Sequence, residues 1–389
     1  MYIKHKIIIA GAGGIGRAAG IMLADQPDFD VDLFIGDLHG STAESVCHWI
    51  TSGTSSLIHA EPFVISPSEV SDQMDYIFKT ADILLDCLPG SESPRMAGLA
   101  VKYGMHYVNL TEYVKETDEI IELSKNSEYG FVLQSGLAPG YINILAHQLY
   151  KKFTREFGTK VDTISMKVGA LTRMACQPHY YGFTWSPIGV ATEYVKDAIV
   201  IRDGQKISVP SLSETSGLVL DGIAYEDDFT SGGAADLPDF FQGKVKQLDY
   251  KTLRYPGHYS WIKAQLASIP AGPQQELELL NRMVAEIPHV EDDIIILYSS
   301  VSGRDEQGHL HIKEKSLKIE PMIYAGYKLK AIQVSTAAPM LEAARMLLTG
   351  KWKGPILQSQ IDPDEFLNGP FIQQVYNRKK KEVSKVDII

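Results

Sequence analysis

The stretch Lys6-Ile7-Ile8-Ile9-Ala10-Gly11-Ala12-Gly13-Gly14-Ile15-Gly16-Arg17 decides how the rest of the chain is read. Its first five residues suit a buried strand, and the G-x-G-x-x-G directly behind them is a turn that opens a helix. Gly11 permits the tight turn, Gly13 lets a pyrophosphate approach the backbone, and Gly16 lets helix and strand pack closely. The helix start then offers free N–H groups and the positive end of its dipole to phosphate, with Ala12, Gly14 and Ile15 in the cradle. A second strand, Val31–Ile35, runs out at Gly36-Asp37, 21 residues after Gly16. A carboxylate at that spacing meets the adenosine ribose hydroxyls and repels a 2′-phosphate. Asp37, with the adjoining Leu38, therefore predicts NAD rather than NADP. Glycines in a merely structural turn would leave strand, helix and acid in register unexplained.

Working outward, the first 140 residues alternate short apolar runs with helical stretches. Strands read at Ile83–Cys87, Tyr107–Leu110 and Phe131–Gln134, and helices at Ile15–Asp25, Pro94–Tyr103 and Glu116–Ser127. This alternation predicts an α/β fold with a doubly wound parallel sheet of Rossmann type. Ligands of such sheets bind outside the carboxyl ends of the strands, which assigns Cys87, Leu88, Pro89, Leu110 and Thr111 to the cofactor's border. Cys87 reads as strand packing rather than a reactive thiol, because no neighbour in sequence would lower its pKa.

From about Val161 the texture changes to β-rich pieces such as Thr163–Val168, Asp293–Ser300 and His309–Ile319, joined by long Gly- and aromatic-rich connections. They predict a second α/β domain on a mixed or antiparallel sheet. A helix over Thr336–Thr349, ending before Gly350, is expected to return to the first domain. The division is then 1–140 rejoined by 336–389, with 141–335 as the second domain, to which the family resemblance described below adds substrate binding and oligomerisation.

Composition bounds the function. The chain has 389 residues, too many for one core, and is 44% hydrophobic and 22% charged, so nothing in it signals disorder. A net charge of −11 argues against nucleic acid and anionic membrane as partners. The basic run Asn377–Lys381 reads as a solvated end. Cys47, Cys87 and Cys176 are odd in number and far apart, and the Cys176/His179 spacing lacks the second pair a metal would need, so no metal is expected. With no leader pattern visible after Met1, the cytoplasm is the expected location.

The succession Gly11–Gly16, Leu88-Pro89-Gly90, Ser135–Asn143 (S-G-L-A-P-G-Y-I-N), Thr184-Trp185-Ser186-Pro187, Thr230-Ser231-Gly232-Gly233 and Thr252–His258 (T-L-R-Y-P-G-H) resembles the saccharopine dehydrogenase superfamily, nearest its lysine 6-dehydrogenase branch. The similarity runs in order over nearly the whole chain. It implies a Rossmann domain rejoined by its C-terminal segment, an inserted α/β domain carrying an oligomer interface (a homodimer is expected), no metal, and hydride transfer between a nicotinamide and an amine-bearing carbon. Saccharopine, lysine and carboxynorspermidine enzymes share this framework.

Such chemistry needs a proton acceptor, a partner for a carboxylate and a water-poor floor. In the loop read at Thr252–His258, Arg254 can grip a carboxylate bidentately, His258 can take an amine proton, and Tyr255 lies between them. Glu112, just past a strand, is the competing base. Asn143 can orient a ligand by hydrogen bonding, and Trp185, Ser186, Thr230 and Ser231 can close the cleft. The expected function is an NAD-dependent dehydrogenase of an amino acid's CH–NH bond. The alternatives are an inactive dinucleotide-binding sensor or scaffold, or a carboxynorspermidine dehydrogenase-like enzyme.

Overall fold

A computed structural model describes residues 4–26, 29–53, 58–112 and 114–377. The basic residues Arg378–Lys381 lie outside the described residues. Strand β1 (His5–Ala10) leads through the glycine turn into α1 (Gly14–Ala24), and the chain continues as β2 (Val31–Asp37), α2 (Gly40–Gly53), β3 (His59–Val64), α3 (Asp72–Thr80), β4 (Ile83–Asp86), α4 (Ser93–Tyr103), β5 (His106–Asn109), α5 (Val114–Ser124) and β6 (Gly130–Val132). These strands pair in the order β3-β2-β1-β4-β5-β6, every pair parallel. The order reverses between β1 and β4, so a crevice opens beyond their carboxyl ends. Ile7 and Ile9 face one apolar core while Ile8 and Ala10 face another. This is why the strand reads as a continuous apolar run: successive side chains alternate, and helices cover both faces.

Helix α6 (Tyr141–Phe157) crosses to a second sheet. There β7 (Thr163–Thr172) is followed by α7 (Pro187–Val195), the hairpins β8 (Ala198–Arg202) with β9 (Gln205–Val209) and β10 (Ser216–Leu220) with β11 (Ile223–Phe229), α8 (Leu237–Phe241), β12 (Gln247–Arg254), α9 (His258–Ala267), α10 (Gln275–Glu286), β13 (Asp293–Arg304) and β14 (Leu310–Ile319). The path is β10-β11-β12-β7-β13-β14, with β8 against β12. The β12/β7 pair is parallel and the others are antiparallel, so the sheet is mixed.

After the hairpin β15 (Met322–Tyr324) and β16 (Tyr327–Leu329), helix α11 (Ala331–Thr349) packs on α1, and β17 (Gly354–Ile356) joins the first sheet beside β6 in parallel. Helix α11 starts five residues before the expected Thr336, because the Asp293 carboxylate accepts the N–H groups of Ala331 and Ile332 at 2.8 and 2.7 Å. It is buried nearly all round, and its side chains share one core with β1, α6 and β7. Among the described residues, no helix is long and apolar enough to cross a membrane.

Sequence reading missed β3, β8, β10, β11, β12, β16 and β17. Strand β12 matters most, since Arg254 closes a strand and His258 opens α9, where a loop was expected from Thr252 to His258. Pro256 and Gly257 (φ +106°) supply only the short turn between them.

Candidate active site

The glycine turn is built as its spacing predicts. A Cβ on Gly11 would stand 2.8 Å from the Cys87 carbonyl oxygen, and one on Gly16 would run into the Gly11 carbonyl, so both must be glycine for β1, β4 and α1 to come together. A Cβ on Gly13 would meet nothing within 4 Å, which leaves space where the helix begins. At the end of β2 the Asp37 carboxylate accepts the N–H of Ala12 and of His39, each at 3.0 Å, tying the second strand to the glycine turn. Leu38 beside it is exposed. A dinucleotide fits this arrangement: donors and room for a pyrophosphate at the helix start, and a carboxylate at the ribose position.

From that turn a cleft of about 860 Å³ runs between the two sheets. Gly14, Ile15, Cys87, Leu88, Pro89, Leu110 and Thr111 line its first-sheet side, as expected for a cofactor border. The Cys87 thiol lies 3.8 Å from the Met340 sulfur, and burial pushes its pKa far up, so it is a packing group. The opposite wall comes from β7 through Val168 and Ala170, and from β12 through Tyr250, Thr252 and Arg254. The two-residue spacing shows why β12 presents Arg254 here: alternate side chains of a strand share a face. Trp185, Ser186 and Glu193 add the α7 side. Ser186 caps that helix by accepting the Gly189 N–H at 3.4 Å.

Arg254 is 1% exposed. Its Nε donates to the Tyr194 hydroxyl at 2.7 Å and its Nη1 to the Leu253 carbonyl at 3.0 Å, while the Tyr181 ring lies 4.7 Å from the guanidinium carbon. Among the described residues it forms no ion pair. A buried, permanently charged guanidinium without a counter-ion is costly, and its remaining N–H groups call for an anion from outside the chain.

Two carboxyl groups share the cleft with it. Burial pushes Glu193 up to about 8, with Arg254 opposing and Glu112 adding to the rise. Burial likewise raises Glu112, against backbone hydrogen bonding and the charge of Lys196. Lys330 also lines the cleft, but its ammonium is engaged with the Val290 carbonyl at 3.2 Å and Glu291 at 3.0 Å. The Thr184 hydroxyl is buried on the same wall with no hydrogen-bond partner among the described residues.

Several expected site residues lie elsewhere. His258 is fully buried behind Tyr194 and does not line the cleft. Burial and the Arg254 charge hold it down to about 3, so it is a poor proton acceptor at neutral pH. Tyr255 turns away, donating to the Thr172 carbonyl at 2.9 Å and stacking on Tyr225. Asn143 has its amide fully engaged inside the protein: Oδ1 accepts the Gly140 N–H at 2.7 Å and Nδ2 donates to the Gly233 carbonyl at 3.0 Å.

Thr230 and Ser231 line a smaller space of about 300 Å³ behind Glu112 and Tyr250 instead of the main cleft. Their loop is a brace. Thr230 and Thr252 share a hydroxyl bond at 2.6 Å, the Ser231 N–H donates to the Glu193 carbonyl at 3.1 Å, and a Cβ on Gly232 would stand 3.0 Å from that of Glu112. Glu193 and Tyr194 were missed from sequence, whereas Thr184 stood in the Thr184–Pro187 motif read as cleft wall. A Glu-Tyr pair in an otherwise unremarkable helix gives no signal until α7 is placed against β12.

Comparison with known proteins agrees with this architecture. The family described as saccharopine dehydrogenase NADP binding domain matches residues 7–132, and the saccharopine dehydrogenase C-terminal domain matches residues 136–378. Mitochondrial alpha-aminoadipic semialdehyde synthase of Bos taurus is 21% identical over 274 residues; the match covers 66% of this chain and 27% of that protein, so the chain spans about a quarter of this relative's length. Saccharopine dehydrogenase (L-Glu forming) from Saccharomyces cerevisiae superposes with a TM-score of 0.73 at 14% identity, covering 96% of this chain and 98% of that one. Homospermidine synthase from Legionella pneumophila, solved with NAD, superposes at 0.68 with 15% identity, covering 99% and 96%. At these identities the superpositions establish the fold, whereas the two domain matches span most of the sequence. The chain belongs to the saccharopine dehydrogenase family of nicotinamide-dinucleotide-binding oxidoreductases.

Proposed function

We propose that this protein is an NAD-dependent dehydrogenase that oxidises a C–N bond of an amino acid with one carboxylate and a second basic nitrogen, lysine being the first candidate. The observation that carries the reading is the charge set of the cleft: one buried guanidinium that makes no ion pair among the described residues, facing the same space as two carboxyl groups, Glu112 and Glu193. That set complements one carboxylate and more than one ammonium. It is a poor match for a saccharopine-type tricarboxylate, and for a polyamine with no carboxylate to meet Arg254. A carboxynorspermidine-type substrate has the same charge pattern and is the second reading.

When bound, the nicotinamide supplies the two-electron acceptor. The chain's own residues do the rest. Arg254 grips the carboxylate through its free N–H groups. Glu112, beyond the carboxyl end of β5 and beside Leu110 and Thr111, takes the proton that the reacting ammonium must lose, because its raised pKa brings it closer to neutral pH than an ordinary carboxylate. Glu193 pairs with the second ammonium. Leu110, Val168, Ala170 and Trp185 form the apolar floor that keeps water away. Asp37 supports NAD over NADP. Assembly as a homodimer in the cytoplasm completes the proposal, the dimer to be tested by the mass of the purified protein in solution.

The test is a screen of purified protein with NAD against L-lysine, saccharopine, carboxynorspermidine and homospermidine, following the absorbance of the reduced nicotinamide. Turnover of lysine with little of saccharopine supports the reading. Saccharopine as the better substrate, or dinucleotide binding without turnover of any amine, overturns it.

A further inference from the structure

The free edge of Arg254 is set by what holds its other edge. A guanidinium carries five N–H bonds. Nε–H donates to Tyr194 Oη at 2.7 Å and one Nη1–H to the Leu253 carbonyl at 3.0 Å, which leaves the terminal Nη1/Nη2 fork without a partner among the described residues. A phenol has one proton to give. His258 Nδ1 faces a carbonyl oxygen and needs the one proton of the neutral ring, so Nε2 is a bare acceptor and the Tyr194 hydroxyl, 2.9 Å away and already accepting from Arg254, donates its proton to it. The imidazole proton sits on Nδ1, 2.6 Å from the His179 carbonyl oxygen, which can only accept. The chain runs in one direction, Arg254 to Tyr194 to His258 to backbone, with every donor matched. Tyr194 and His258 are 2% and 0% exposed, so water cannot take the place of either.

Building on the carboxylate reading of Arg254, we infer that Tyr194 and His258 are positioning residues whose directional hydrogen-bond chain occupies the Nε edge of Arg254, so that a substrate carboxylate is met end-on by the Nη1/Nη2 fork. A protonated His258 would turn a second donor toward Tyr194 and leave the tyrosine proton without an acceptor, beside the positive charge of Arg254. Burial and that charge keep the ring neutral. Neither residue touches substrate; both act through the guanidinium.

The test compares binding of L-lysine with that of 1,5-diaminopentane, which lacks the carboxylate, with the reduced dinucleotide present so that no turnover competes. Leaving a buried Nε–H unbonded costs enough that Tyr194→Phe should weaken lysine binding roughly tenfold or more. Diaminopentane binding should stay within about twofold by the same reasoning. In steady state the change should fall on KM rather than kcat. His258→Leu should copy Tyr194→Phe, whereas His258→Gln, whose amide oxygen takes the place of Nε2, should restore lysine binding. Nitrogen-15 spectra of the unmutated protein should show the His258 ring neutral with its proton on Nδ1.

A loss in Tyr194→Phe that is equal for both ligands, no loss for lysine, or an Nε2-protonated ring overturns the inference. Arg254→Ala separates the two claims. If it fails to weaken lysine selectively, or if the unmutated protein binds neither ligand, the carboxylate reading falls and the chain's role with it. If it is lysine-selective while Tyr194→Phe is not, only the positioning role falls.

Discussion

Arg254 and Asp37 each place a charge where a partner must bring the opposite charge or a hydroxyl, and each can be removed with a defined consequence. Loss of one member of a desolvated, hydrogen-bonded charge pair costs about 2–5 kcal/mol, so Arg254→Ala should lower kcat/KM for the accepted amino acid by about thirtyfold or more. Dinucleotide affinity, measured by fluorescence titration, should hardly move; a parallel loss of both would point to collapse of the wall rather than loss of a clamp. Asp37 also receives two backbone N–H groups, one on each carboxylate oxygen, so a cofactor test must be read beside the stability of the variant. Asp37→Asn keeps an acceptor for one of those N–H groups and removes the charge, and should narrow the preference for NAD over NADP in a variant whose melting temperature is followed in parallel. Equal affinity of the unmutated protein for both would leave Asp37 no selective role. At this scale sequence reading reached the charges but not the contacts. Arg254 and His258 are near neighbours in sequence, yet one faces the cleft and the other is buried behind Tyr194, because the strand ends between them.

Elements were legible where one period dominated. The apolar runs of β1, β2, β4 and β5 and the glycine turn were readable because both faces of the parallel sheet are buried and the turn demands glycine. Strand β12 was not, because Lys251 is buried in it with its charge matched by Glu214 and Asp227, a pairing made by elements distant in sequence. The Thr230–Gly233 loop likewise looked like substrate wall and proved to brace Glu112 and Glu193. The glycine turn permits a sharp experiment at this scale. Gly13 has open space around it and Gly16 has none. Gly13→Ala should therefore leave the melting temperature of the cofactor-free protein nearly unchanged while weakening dinucleotide binding. Gly16→Ala should lower stability by about 1–3 kcal/mol, the usual cost of forcing a methyl into packed backbone, and weaken binding as well. Equal melting temperatures for the two variants would contradict the packing described for α1 and β1.

Across the whole molecule the cleft lies between two sheets that share a core through α6 and α11, so charge inside it is felt by the stability of the entire fold. Glu193 is the group to follow. Its folded value stands near 8, whereas in the unfolded chain it titrates near the ordinary glutamate value of about 4.3. Between those limits the folded protein holds a proton that the unfolded chain has lost, so stability falls as pH rises: the contribution is present in full below the unfolded value and is lost as pH passes through about 8. Glu112, also raised, acts in the same direction. A bound ammonium reverses the balance by favouring the carboxylate, so lysine binding at neutral pH should release protons and tighten as pH rises toward about 8. The melting temperature of the ligand-free protein should decline more steeply over that range than that of Glu193→Gln, and saturating lysine should flatten the difference. Calorimetry in two buffers of different ionisation enthalpy counts the protons directly. Proton uptake on binding, or identical pH profiles for the unmutated protein and Glu193→Gln, would show that Glu193 does not receive the second ammonium.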